Sequence, residues 1–185
     1  NPMHCENLYQ VLYALTRTTG DGKYAGAADR SLKFFFEHCQ SPVTGLMYWG
    51  EHAGWDLRTD APMEGKAANT HEFFRPWVLW ERSWELAPDA CRRFAIGLWE
   101  HQIGDHSTGL YSRHAAIDKH GPGTDAPYAR HGSFYVLTWA TAYARTKDPL
   151  FLKAIETVMN CLESFRRNGG MVVGGSTRTI AARAE

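Results

Sequence analysis

The sequence predicts an all-α fold, built of helical hairpins that form part of an (α/α)n toroid or barrel. Three observations carry this expectation. Apolar residues recur at helical spacing along most of the chain. The connections between those segments alternate between tight turns and long loops. A loop motif, Thr44-Gly45-Leu46, returns 64 residues later as Thr108-Gly109-Leu110, and such a period marks stacked supersecondary units.

The helices follow from the spacing in order. Leu8, Val11, Leu12 and Leu15 make the first stripe, and Tyr24, Ala27, Ala28, Leu32, Phe35 and Cys39 the second. Phe73, Trp77, Trp80 and Trp84 make the third, in a helix expected to begin near Arg75 or Pro76 because proline pushes its predecessor out of the helical region. Cys91, Phe94, Ala95 and Leu98 form the fourth, and Leu137, Ala140, Tyr143 and Ala144 the fifth. The sixth is the clearest, with Leu150, Phe151, Ala154, Ile155, Val158, Met159, Leu162 and Phe165. Pro88 and Pro149 sit where the fourth and sixth should start, since a first-turn residue needs no N–H. Only Met171–Val173, flanked by glycines, reads as a strand.

Thr18–Gly22, Ala87–Asp89 and Thr146–Asp148 are the tight turns, so helices pair one with two, three with four and five with six. The long loops, about 40–72 and 104–132, then share one rim. Their consensus extends beyond the glycine, to Tyr48-Trp49-Gly50-Glu51-His52 in one and Tyr111-Ser112-Arg113-His114 in the other. Arg17-Thr18-Thr19-Gly20-Asp21 is echoed by Arg145-Thr146-Lys147-Asp148, two periods on, and Gly169-Gly170-Met171-Val172 stands near the third loop position. Residues 1–185 thus read as a single domain of three hairpins, half of a six-hairpin ring and so part of a larger whole.

Composition narrows the function. The chain has 20 Lys+Arg against 20 Asp+Glu, which lacks the basic footprint of a nucleic-acid binder and any polybasic membrane patch. No apolar run approaches the ~18 residues of a membrane span. Cys5, Cys39, Cys91 and Cys161 form no CxxC pair and are expected as small buried hydrophobes. Asn1–Glu6 resembles neither an initiator nor a signal peptide, which is no argument for the cytoplasm; a periplasmic or secreted location is expected instead.

The rim residues carry the chemistry. His52, Glu72 and His114 supply two imidazoles and a carboxylate from separate segments, a three-ligand set for a divalent cation with positions left for substrate. The repeat puts His52 and His114 at corresponding places, with Arg113 beside the latter. His71 adjoins Glu72 and is an alternative ligand, while His131, at the start of the fifth helix, is a candidate for substrate contact or a base. Tyr48, Trp49, Trp55, Tyr111 and Tyr128 offer stacking faces for sugar rings, and Arg58, Arg113, Lys119 and Arg130 offer forks for carboxylates. Of these, Trp49, Trp55, Arg58, Tyr111, Arg130 and His131 are the expected substrate contacts, and an acidic oligo- or polysaccharide is the expected partner. Each also has a plainer reading, as packing under the loops or as a solvated charge.

The order His52, Glu72, then Arg113-His114 resembles polysaccharide lyase family 2, the pectate lyases with a helical-toroid catalytic domain, over roughly residues 45–115. The resemblance implies that His52, Glu72 and His114 hold a manganese-type divalent metal and that Arg113 is the Brønsted base. It also implies metal-assisted β-elimination on uronic-acid glycans such as pectate. Two other readings stay open. A glycoside hydrolase or epimerase would use loop carboxylates, Asp56, Asp60, Asp118 or Asp125, or a histidine as acid and base. A non-catalytic carbohydrate-binding protein would keep only the aromatic groove.

Overall fold

The computed structural model describes residues 5–48, 55–62, 69–71, 76–111, 114–116 and 129–164; for 62, 69–71, 114–116 and 129–130 it describes the backbone alone. Most of these residues are helical, as the spacing predicts. α1 (Glu6–Thr19) and α2 (Lys23–His38) form the first hairpin. α1 stops at Gly20, whose left-handed φ of 74° lets its amide close on Thr16 O. The Thr16 hydroxyl then ties the turn, donating to Asp21 O at 3.0 Å and accepting from the Ala25 amide at 2.9 Å.

α3 (Trp80–Leu86) and α4 (Pro88–Gly97) form the second hairpin across a single residue, Ala87, and Pro88 opens α4 as expected. α4 continues as a π-helical turn, Leu98–Gln102. α5 (Ala129–Thr146) and α6 (Pro149–Ser164) form the third. In its turn Lys147 takes φ 58°, and Asp148 Oδ1 accepts the Leu150 amide at 3.0 Å, as a helix cap does.

α3 starts later than the sequence suggests, at Trp80 rather than near Arg75 or Pro76. The reason is local. The Val78 amide is taken by the Glu6 carboxylate of α1 at 2.8 Å, and Trp77 folds back so that its Nε1–H reaches the Ser83 hydroxyl at 3.0 Å. Residues 76–79 are therefore a turn clamped between two helices.

The core lies between the hairpins. Leu32, Phe35 and Phe36 of α2, Phe94 and Ala95 of α4, Trp139 of α5 and Phe151, Ala154 and Val158 of α6 are all buried. Trp139 also spends its only donor inside, on Ala95 O at 2.9 Å. Cys39, Cys91 and Cys161 join this core as expected, and burial raises each of their thiol pKa values. Cys5 does not; it precedes α1 and is exposed, its carbonyl accepting the Leu8 and Tyr9 amides.

The long loops hold more order than their composition suggests. They carry β1 (Met47–Tyr48), β2 (Trp55–Asp56), β3 (Ala61–Pro62), β4 (Asn69–His71), β5 (Ile103–Asp105), β6 (Leu110–Tyr111) and β7 (His114–Ala116). Strands of two or three residues are too short to show alternation, so periodicity misses them. The strand read at Met171–Val173 lies outside the described residues.

The repeated glycine motif has one conformation in both loops. Gly45 and Gly109 have φ of 71° and 74°, and their amides close on Ser41 O and Asp105 O at 2.9 and 2.7 Å. Each lies flat against a helix of its own or the next hairpin: a Cβ on Gly45 would come within 2.7 Å of Arg93 O in α4, and one on Gly109 within 2.5 Å of Thr157 O in α6. Glycine is needed at both for the φ and for the approach.

Candidate functional site

The two long loops are joined by a three-stranded sheet in the order β1–β4–β7. β4 is central and antiparallel to both neighbours. Its register pairs Met47 with His71 and Tyr48 with Thr70 on one side, and Asn69 with Ala116, Thr70 with Ala115 and His71 with His114 on the other. His71 and His114 are thus cross-strand partners, and directly opposed residues share a face of the sheet. By sequence, Glu72 follows His71 and Arg113 precedes His114. The residue types of the expected metal set therefore stand at, or one position beyond, this single strand pairing. Among the described residues no three His, Cys, Asp or Glu side chains converge on a point; His52, Glu72 and Arg113 lie outside those residues, as does Trp49.

The other expected contacts separate into three kinds. Trp55 and Arg58 are on the short hairpin β2–β3, whose strands pair Trp55 with Pro62 and Asp56 with Ala61. Trp55 is half-buried and its Nε1–H donates to Asp60 Oδ1 at 3.0 Å. Arg58 is open to solvent, its amide held by Asp56 Oδ1 at 2.9 Å and its Nε 3.5 Å from the same oxygen. Arg130 is in the first turn of α5.

Tyr111 and His131 are buried rather than open on the rim. Tyr111 is 2 % exposed, with its ring edge-on to Tyr135 at 5.3 Å and its hydroxyl against Gly132, so it packs in the core. His131 is in the first turn of α5 as expected but is 1 % exposed, its ring edge-on to Phe134 at 6.0 Å, so it does not face solvent. Tyr48, another expected platform, is also buried. Aromatic residues flanking the motif glycines are drawn inward because those glycines press the loops onto the helices.

The loop carboxylates within the described residues are committed to turns. Asp56 holds the Arg58 amide, and Asp60, with φ 50°, holds the Trp55 indole. Asp105 accepts from the Ser107 hydroxyl and amide at 2.6 and 2.8 Å and from the Thr108 hydroxyl at 2.8 Å, which lowers its pKa to about 2. Asp118 and Asp125 lie outside the described residues.

Sequence reasoning treated His71 only as a substitute ligand, whereas the register makes it the partner of His114. It also passed over Phe34 and His38, four residues apart on the outward side of α2, which pack on Trp55. That i, i+4 aromatic pair was a readable signal. No helix among the described residues is long and apolar enough to cross a membrane.

Residues 1–160 match the family model described as periplasmic pectate lyase, and the chain belongs to that family. Membership makes it lyase-like towards an acidic polysaccharide and agrees with a periplasmic or secreted location.

Proposed function

We propose that this member of the periplasmic pectate lyase family cleaves pectate, or a closely related uronic-acid glycan, by metal-assisted β-elimination. The observation that carries the reading is the family match over residues 1–160. The pairing of His71 with His114 supports it, because it brings together the two loops on which the expected ligands stand.

His52, Glu72 and His114 would hold the cation. Two imidazoles and one carboxylate suit a first-row divalent ion of the manganese type, and three ligands leave positions for substrate. Such an ion, when bound, supplies Lewis-acid stabilisation of the charge that builds on the uronate carboxylate. The chain's own residues do the rest. Arg113 is placed by sequence beside a ligand and takes the C5 proton. As it does so the C4–O bond breaks, C4=C5 forms, and the departing oxygen is protonated by solvent. A guanidinium has a pKa above about 12, so this role needs a cation-rich, desolvated site and favours alkaline conditions. Arg58 and Arg130 would hold carboxylates of neighbouring sugars. A second ligand set, with His71 in place of His52, draws on the same strand register.

The test is the absorbance of the unsaturated product on polygalacturonate, with and without exhaustive chelation. Activity that disappears with chelator and returns with Mn2+ is expected. Activity that survives chelation overturns the metal role. New reducing ends without unsaturation point to a hydrolase, and saccharide affinity without either product points to a binding protein.

A further inference from the structure

Six of the seven tryptophans fall within the described residues, and five of them, Trp77, Trp80, Trp84, Trp99 and Trp139, are buried in the core. Trp55 is the exception, half-buried on the flank of α2. There it meets two aromatic rings that the core does not use. Phe34 and His38 stack on each other with centroids 4.4 Å apart and planes 26° from parallel. The indole is perpendicular to both, at 4.7 Å and 80° from Phe34 and 5.8 Å and 79° from His38.

These distances fix how the indole lies. A ring resting on top of a stacked pair would be far from one member, whereas Trp55 is close to both, so it lies beside the pair. Perpendicular rings whose centroids are 4.7 Å apart meet edge to face. The edges of Phe34 and His38 therefore point at one face of the indole, their positive rims against its negative face. The indole's polar edge is spent on Asp60. The side chain also packs against the buried core, and what it offers is the part of the indole that remains half-exposed.

We propose that Trp55, braced by Phe34 and His38, is a stacking platform for a pyranose ring of an acidic polysaccharide, with Arg58 as the fork for that sugar's carboxylate. Sugars present an apolar C–H face that matches a fixed aromatic plane, and a braced plane loses little side-chain freedom on binding. Arg58, three residues along the same hairpin, has a side chain 92 % exposed. Asp56 Oδ1 lies 3.5 Å from Arg58 Nε, so a uronate carboxylate takes the fork in competition with that ion pair. The choice of ligand rests on the family reading, but the platform needs no turnover and no metal.

The experiment measures binding alone. Purified oligogalacturonate is titrated into the protein in excess chelator, following the indole N–H resonance assigned to Trp55 by its loss in Trp55→Phe. That resonance should shift saturably. Trp55→Ala should raise the Kd about tenfold and Phe34→Ala about threefold, on the scale of a single aromatic contact. Arg58→Ala should raise it about threefold and flatten its dependence on salt. Circular dichroism checks folding, and Arg58→Ala keeps the test intact if an aromatic variant fails to fold. An unmoved Trp55 resonance, or a Kd unchanged in Trp55→Ala and Arg58→Ala, overturns the platform. Equal affinity for an uncharged glucan oligomer overturns its acidic specificity. A lyase that turns over pectate with no effect at Trp55 leaves the catalytic reading standing without the platform. Binding at Trp55 without any unsaturated product leaves the platform standing without the lyase.

Discussion

Gly45 and Gly109, 64 residues apart, adopt the same left-handed backbone, and the carbonyls they press against, Arg93 O and Thr157 O, are also 64 residues apart. Each loop is thus seated on a helix by one residue without a side chain. Gly20 provides the control, because its φ is 74° but nothing lies within 4 Å of where its Cβ would be. Gly20→Ala should cost only the left-handed strain of about 1–2 kcal/mol. Gly45→Ala and Gly109→Ala add overpacking against a backbone carbonyl and should cost about 1–3 kcal/mol more. Urea unfolding of the three variants checks the order, and equal midpoints would count against the close approach.

Acid should weaken the fold through carboxylates that the native state keeps ionised. The Arg82 guanidinium grips Asp29 through two hydrogen bonds, 2.8 and 2.5 Å, and together with the Tyr13 hydroxyl holds that carboxyl below its ordinary value of 3.8 against the opposing effect of burial. Asp105 is held at about 2, chiefly by Ser107. Both folded values are depressed, so their contribution is complete above the unfolded value near 3.8 and is lost as pH falls through the folded ones. Urea midpoints should fall between about pH 4 and pH 2. Asp29→Asn and Asp105→Asn should each make that decline shallower, and a slope unchanged in both would contradict the assignment.

Trp139 joins two hairpins by packing and by one buried hydrogen bond to Ala95 O. Trp139→Phe keeps most of the ring volume but leaves that carbonyl without its donor, which should cost about 1–3 kcal/mol. Trp139→Ala also opens a cavity and should cost about 3–5 kcal/mol. If Trp139→Phe is neutral by thermal unfolding, the hydrogen bond contributes nothing and packing alone joins α4 to α5.

The helices were legible because their apolar stripes span three or four turns; α6 is read almost to the residue from Leu150, Ala154, Val158 and Leu162. The start of α3 was not, because it depends on Glu6, 72 residues earlier, reaching the Val78 amide. Spacing along the chain cannot show a contact of that range. The same limit hid the sheet: β4 has three residues, and only its pairing with β1 and β7 makes it a strand. Aromatic loop residues divided in a way that composition does not record. Tyr111 went under α5 against Gly132, whereas Trp55 stayed half-buried at the edge of the core, with Phe34 and His38 against it.

The proposed roles of His52, His71, Glu72, Arg113 and His114 are separable by measuring metal affinity and turnover in the same variants. A ligand contributes to both, so His52→Ala, Glu72→Ala and His114→Ala should lose metal by competition with a chelating dye and lose activity with it. A base contributes to turnover alone. Arg113→Ala should therefore bind Mn2+ within about threefold of the parent and lose activity by about a thousandfold or more, on the scale of removing a proton-transfer group and its positive charge. Metal loss in Arg113→Ala would make it a structural residue instead. His71 is the discriminating case, since its strand register pairs it with His114. Acting beside the ligand, it should change affinity about 10–100-fold, as supporting residues of metal sites do, and high Mn2+ should restore turnover in His71→Ala. If His71→Ala instead abolishes binding as fully as His114→Ala while His52→Ala retains it, the second imidazole of the set is His71. The strand pairing would then carry two ligands on adjacent strands, with Glu72 one residue further along the chain.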